Sequence, residues 1–445
     1  METGLFKRLR TAIVAEEINY VQSPLVETAI IETGWYDVAP TNNPPIDGQP
    51  ISFDYKGNPN WYIDMDHSRV EFRVKITKKD GSDLVDADKV GPINLLAHTM
   101  FRRCATQVNS VDVSPNDNNY AQKAFMSHLI THTHDMNKNI SKLFEGWEGD
   151  APVDHYGSVK GAENTGLGIR IGTHKLSKES TFLMLPNDGI WMQPLDLFPR
   201  FDLKLTYDRN GDEFSLMEEY AADAAATGFK LKITYAVLHL RYKVLRDDVV
   251  AGHRKELASP DGMVLHLKAA QLKLFSIPQG ASTHTIQGVY SGLLPPMLLM
   301  AMVNSEAANG SYKTNPFYFR NFGCESIDLQ VNGKTCNGRP LRPKFGTSPQ
   351  YLFEYFCLLD EAGFAGRDHL DINPEQWAKC CNLWLFETAP FAAQIDVLQN
   401  PGGINLEIRF STATTEPITL ISLGQKYETV RLRDNLTVEY YRDVS

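Results

Sequence analysis

The dominant pattern in this chain is alternation of apolar and polar side chains with a period of two, which puts every second residue of an extended segment on a buried face. Val70, Phe72, Val74 and Ile76 alternate with Glu71, Arg73 and Lys75, and Lys79-Asp80-Gly81-Ser82 supplies the turn that closes the run. Phe201, Leu203, Leu205 and Tyr207 repeat the pattern. Residues 229–245 (FKLKITYAVLHLRYKVL) carry it beyond the length of an average strand, which predicts a strand running the full height of a sheet. The second half follows the same grammar at 263–277, in the apolar run 292–303, and in Ile404, Leu406, Ile408 and Phe410. Ile418, Leu420 and Ser422, then Leu436, Val438 and Tyr440, complete it. Helical spacing is rare. Tyr120, Ala121, Ala124, Phe125, Leu129 and Ile130 show it after the N-cap candidates of 116–119, and 351–359 (YLFEYFCLL) reads as a helix or a buried strand. Such helices never alternate regularly with strands, which disfavours a parallel α/β sheet and predicts an all-β chain of antiparallel sandwiches with short helices and long loop insertions.

Segments without a sustained period read as connections. Residues 23–50 are rich in Pro, Asn and Asp and predict an extended loop, and 146–200 predict a long surface excursion of the kind that carries contacts. Residues 208–227 form a second excursion, predicted helical over 217–226, and 360–400 a mixed one. The polar stretch 246–262 interrupts the apolar pattern near the middle of the chain and marks a domain boundary. The expected organisation is an N-terminal arm over 1–22, a first sandwich over 23–250 and a second over 251–445.

Two turns tie the halves together. Ile327, Leu329 and Val331 alternate with Asp328 and Gln330 and run into Asn332-Gly333, a pair suited to the positive φ angles of a tight hairpin. Upstream, Phe101-Arg102 and Cys104 lead into Gln107-Val108-Asn109-Ser110, as Phe319-Arg320 and Cys324 lead into Gln330-Val331-Asn332-Gly333. Each is followed by a polar loop and an aromatic-bearing element. The matched order predicts two copies of one β domain, with Asn109, Ser110, Asn332 and Gly333 as structural turn residues.

At 42% hydrophobic and 22% charged residues, 445 residues suffice for two domains that each bury a core without disulfides. The net charge of −10 argues against a protein whose whole surface coats nucleic acid. Local positive charge is available in the first twenty residues, where Lys7, Arg8 and Arg10 stand beside Leu5, Phe6 and Leu9 in a short basic amphipathic arm. Cys104, Cys324, Cys336, Cys357, Cys380 and Cys381 show no C-x-x-C pair and read as reduced, mostly buried thiols of a protein made in a reducing compartment.

Catalytic motifs are missing: the chain holds no Gly-rich phosphate loop, no G-x-S-x-G and no H-E-x-x-H. His128, His132 and Asp135 come nearest to a metal cluster, since offsets of four and three place them on one face of a helix, with His134 close by. The same spacing also arises on a solvated helix face, and we expect no metal there. Asp64, Asp66 and His67 form a second acidic group, which lacks the Gly turn and bidentate Glu of a calcium loop. Trp61, Tyr62 and Phe72 offer aromatic faces without an RNA-binding pattern beside them, so packing is the expectation.

Several stretches resemble one family, the double jelly-roll major capsid proteins of Maverick/Polinton elements and adintoviruses, more distantly similar to virophage capsid proteins and adenovirus hexon. They are 89–98 (KVGPINLLAH), Leu294-Pro295-Pro296, 315–321 (NPFYFRN), Val331-Asn332-Gly333, 340–343 (PLRP) and 403–410 (GINLEIRF). The similarity runs with gaps from Trp35 to Tyr441; Val108-Asn109-Ser110 departs from the family's Leu-Asn-Gly, and 146–228 matches poorly. The resemblance implies two eight-stranded jelly rolls in one chain, a homotrimer forming a pseudo-hexagonal capsomer, and an icosahedral shell. It further implies neighbouring capsomers, penton and minor capsid proteins as partners, no enzymatic activity and no cofactor. Location in the virion follows, with the basic arm of Lys7, Arg8 and Arg10 facing the interior towards genome or an internal layer. The rival classes are a lectin-like β-sandwich module, a cupin-type enzyme, which would need converging His and carboxylates on facing strands, and a host-domesticated copy of a capsid gene.

Overall fold

The computed structural model describes residues 28–43, 45–114, 118–219, 228–346, 348–364, 370–389 and 400–441. Its first half contains β1 (Ile30–Val38), β2 (Ile51–Tyr55), β3 (Tyr62–Lys78), β4 (Val90–Pro92), β5 (Phe101–Val108), β6 (Val111–Asp112), β7 (Ser180–Met184), β8 (Asp196–Leu197), β9 (Leu203–Arg209), β10 (Leu216–Glu218) and β11 (Phe229–Leu245). The second half contains β12 (Met263–Ile277), β13 (Thr283–Leu293), β14 (Met297–Asn304), β15 (Cys324–Val331), β16 (Lys334–Thr335), β17 (Leu383–Glu387), β18 (Pro401–Phe410), β19 (Ile418–Leu432) and β20 (Val438–Tyr441).

Strand order reveals the architecture. In the first half one sheet runs β1-β11-β3-β7 and the other β2-β9-β5-β6; in the second half the orders are β12-β19-β14-β17 and β13-β18-β15-β16. With β4, β8, β10 and β20 set aside as additions, both halves place their first, eighth, third and sixth strands in one sheet and their second, seventh, fourth and fifth in the other. That order, antiparallel throughout, is the eight-stranded jelly roll, and the chain is a double jelly roll. Alternation makes the long central strands: along β11, Phe229, Leu231 and Ile233 are buried while Lys230 and Lys232 are exposed. β12 and β19 pair without a register shift from Met263 opposite Leu432 to Ile277 opposite Ile418. Among the described residues no helix is long and apolar enough to cross a membrane.

Several segments differ from the sequence expectation. Within 23–50, Ile30–Val38 is a strand at the sheet edge; its Ile31, Trp35 and Tyr36 are exposed, so no buried face appears in the pattern, and pairing with β11 holds it instead. Within 146–200, the helix Thr165–His174 and strand β7 interrupt the excursion, and β7 is too short, at five residues, to show a period. Leu216–Glu218 is a strand on β4, not a helix, and 220–226 lie outside the described residues. Residues 351–359 resolve as the helix Leu352–Glu361, and 246–262 contain the helix Asp247–Leu257.

The two rolls do not keep separate cores. The core of the second roll also contains Ile93, Leu95, Phe125, Leu129, Trp147, Leu167 and Met217 from the first half. The core of the first roll also contains Leu267, Val430, Leu432 and Val438 from the second half. Phe125, on the helix Tyr120–Thr131, stacks on Phe317 at 4.0 Å between ring centroids. Beside it, buried Arg170 meets buried Asp150 at 2.7 Å and donates to the carbonyls of Pro92 and Glu148, while Asn315 Nδ2 donates to the other Asp150 oxygen at 3.1 Å. Residues 89–98 and 315–321 occupy the same topological place, between the third and fourth strands of their rolls, and both enter this junction.

Candidate functional site

Three features are built for more than holding a sheet: the paired turns, the long insertions before the sixth strands, and a buried histidine group. Each turn joins the fourth strand of its roll to the fifth. Asn109 and Ser110 (φ 46° and 67°) link β5 to β6, and Asn332 and Gly333 (φ 52° and 77°) link β15 to β16. Both asparagines make the same latch, to the residue leading into the seventh strand in the first roll and to the seventh strand itself in the second. Asn109 donates its N–H to Asp202 O (3.0 Å) and accepts from Asp202 N–H at Oδ1 (2.7 Å); Asn332 donates to Gly403 O and accepts from Gly403 N–H, both at 2.9 Å. Asparagine serves here because it tolerates the left-handed conformation and brings an acceptor to an otherwise orphan N–H. Asn109 Nδ2 also donates to Leu436 O, so the first turn grips the end of the second roll.

At Gly333 an added Cβ would meet nothing within 4 Å, so a substitution is judged by the backbone alone. Gly333→Val should lose about 1–3 kcal/mol through the positive φ, whereas Gly333→Asn should stay near the parent. Denaturant unfolding checks this, and a Val variant as stable as the parent would mean that the turn relaxes without cost.

The insertions between the fifth and sixth strands, 113–179 and 336–382, carry exposed apolar side chains. In the first, Ile140 and Leu143 are 55% and 69% exposed; in the second, Leu352 and Phe356 are 68% and 50% exposed. The two insertions thus share a topological place and each carries apolar side chains on its surface.

The third feature starts at the end of the helix Tyr120–Thr131. His128 is buried, stacked on Trp147 at 4.5 Å and on His132 at 3.9 Å. Its Nε2 lies 2.7 Å from Asn137 Oδ1, and Asn137 Nδ2 lies 2.8 Å from an Asp371 oxygen. Glu145 Oε2 is 3.7 Å from His128 Nδ1, and Oε1 is 3.5 Å from Nε2 of His98, whose Nδ1 reaches Tyr120 OH at 2.9 Å. Burial pushes the His128 imidazole down to about 3 and also lowers His132. Burial opposes ionisation of Glu145, but the hydrogen bond from His98 outweighs it and holds the carboxyl below the usual carboxylate range.

Asp135 is not in this group. The helix ends at Thr131, His132 is extended, and Asp135 falls on a separate exposed turn, so the spacing of four and three is broken. The carboxylate comes from Glu145, which no local spacing marks; His134 turns instead to Asp371 at 2.6 Å. Asp64, Asp66 and His67 do come together, with His67 Nδ1 3.0 Å from both carboxylates. Lys243, however, reaches Asp64 Oδ2 at 2.9 Å and Asp196 at 2.8 Å, so an ammonium already neutralises the buried carboxylate. Trp61 stacks on Tyr242 at 4.2 Å, and Tyr62 and Phe72 are core residues. Cys380 and Cys381 are buried thiols 3.9 Å apart. Lys7, Arg8 and Arg10 lie outside the described residues.

No protein-family model matches the chain. An uncharacterized protein of Caenorhabditis elegans, F54H12.2, is 23% identical over 411 residues, covering 88% of this chain and 93% of its own length. Among solved structures, the Sputnik virophage structure matches with a TM-score of 0.65 at 11% identity, covering 98% of this chain and 93% of that one. The mavirus major capsid protein matches at 0.56 and 12% identity, covering 98% and 96%. The Faustovirus major capsid protein matches at 0.54 and 8% identity, covering 96% and 94%. At these identities the likeness is one of fold, over nearly the whole length of each partner.

Proposed function

We propose that this chain is a major capsid protein of the Maverick/Polinton and adintovirus type, resident in the virion, that assembles as a homotrimer into pseudo-hexagonal capsomers of an icosahedral shell. The observation that carries the reading is the repetition of one jelly-roll strand order within a single chain, matched end to end by the fold of major capsid proteins. Three such chains present six similar units, and head-to-tail contacts that close after a threefold rotation give a tile with a hexagonal outline. The exposed apolar residues on both insertions supply the kind of surface those contacts require. Function then resides in surfaces that meet other copies, penton and minor capsid proteins, with no bond made or broken and no cofactor. The division into 23–250 and 251–445 gives the two units. The arm of Lys7, Arg8 and Arg10 faces the shell interior, where positive charge meets genome or an internal layer.

Size-exclusion chromatography with light scattering should return three chains per particle at micromolar concentration, for the full chain and for one lacking residues 2–20, and negative-stain images should show hexagonal outlines. A monomer would overturn the capsomer reading; loss of trimers on deleting the arm would make the arm an interface element. The nematode relative favours a second reading, a capsid-derived copy carried by an animal host. Trimers that never build shells on expression with their neighbouring genes would select it.

A further inference from the structure

The hydrogen bonds around His128 and His132 fix where their lone pairs lie. Asn137 Nδ2 is 2.8 Å from the Asp371 carboxylate and must donate to it, so Asn137 Oδ1 is the atom that faces His128 and accepts from its Nε2–H at 2.7 Å. The Nδ1 of neutral His128 is therefore an acceptor. Thr131 Oγ1 spends its proton on Ser127 O at 2.8 Å, so it accepts from Nδ1–H of His132 at 2.9 Å and leaves Nε2 of that ring as an acceptor. The third group, Glu145 Oε2, is buried and has no hydrogen-bond partner. One ligand atom from each of these three residues lies within 4.8 Å of the others. Two acceptors, His128 Nδ1 and Glu145 Oε2, thus face each other at 3.7 Å with His132 beside them, where burial normally demands a donor.

We propose that His128, His132 and Glu145 bind a transition-metal dication of the zinc type. The 3.7 Å between His128 Nδ1 and Glu145 Oε2 is too long for a hydrogen bond, and close to the separation of about 3.4 Å between two ligands of one tetrahedral zinc. Two neutral imidazoles and a carboxylate are the donor set of many zinc sites that keep an open fourth position. Asn137 and Asp371 extend the site outward, orienting His128 through its second nitrogen as outer partners of zinc ligands do. His98 does the same for the carboxylate through Oε1. Binding requires His132 to tilt out of its face-to-face stack on His128, and the partial exposure of His132 leaves room for that movement. The ion would pin the insertion of the first roll, which supplies all three ligands, to the loop of the second roll that contributes Asp371. This site is independent of the capsid reading.

The test uses the full chain, stripped with a chelator and titrated with Zn²⁺ by calorimetry and with Co²⁺ by visible absorption. The expected result is one ion per chain, a tetrahedral Co²⁺ spectrum that Zn²⁺ abolishes, loss of both signals in His132→Gln, and affinity about 10–100-fold weaker in Asn137→Ala. His132 lies at the helix end and is half-buried, so His132→Gln should melt like the stripped parent and serve as a folded control. Saturable binding that survives His132→Gln would place the ion at the cysteines or at Asp64 and overturn the proposal. No saturable binding by the parent would overturn it too, leaving a proton between His128 and Glu145 as the compensating charge.

Discussion

Phe125→Ala should cost about 3–5 kcal/mol, the range for removing a large aromatic side chain from a packed core. Phe125 is 1% exposed, stacks on Phe317 and also meets Trp147 and Phe319, so little can collapse into the space its ring leaves. The residue belongs to the first roll by sequence and to the second by packing, and the loss should therefore appear in a single transition shared by both rolls. Circular dichroism melts and denaturant titration check this, with Phe125→Leu expected to lose much less. A Phe125→Ala chain that unfolds in two separated steps, or melts with the parent, would show that the junction is peripheral to stability.

A comparable loss, about 3–5 kcal/mol, is expected for Arg170→Met. The guanidinium and the Asp150 carboxylate are 4% and 1% exposed, and removing the cation leaves a buried anion beside the Asn315 amide. Most of the damage comes from that uncompensated charge, not from the missing attraction. The double replacement Arg170→Met with Asp150→Asn should therefore be more stable than the sum of the two single effects. A double-mutant cycle measures the difference, and additive effects would mean that water already reaches the pair.

Much of this architecture can be read from the residue pattern, because a jelly roll is made of half-buried strands and alternation is their direct imprint. The strand 229–245 and the apolar runs at 263–277 and 404–410 are visible for that reason, and so is the all-β class. Where the pattern fails, burial is arranged differently. β1 keeps its large apolar residues exposed, β7 and β10 are too short to show a period, and 351–359 has apolar residues at both spacings. The histidine group was half legible. His128 and His132 stand four apart on a predicted helix, but the helix stops before His132, and the carboxylate arrives from Glu145 through a turn that only tertiary packing determines. The Asn109 and Asn332 latches show in sequence only as turn residues; their shared acceptor role depends on the neighbouring strand, far away in the chain.

The crossing of the two cores has a consequence for descent. A tandem duplication starts with two copies able to stand alone, since each brings all the side chains its interior needs. Here Phe125 and Leu167 fill one interior from the other half of the chain, and Val430 and Leu432 do so in return. Neither half could now be excised, shuffled into another gene or replaced by a second copy of its neighbour without opening holes on both sides. The two rolls are thus coupled through their interiors, and an accepted substitution in one alters which substitutions the other can tolerate.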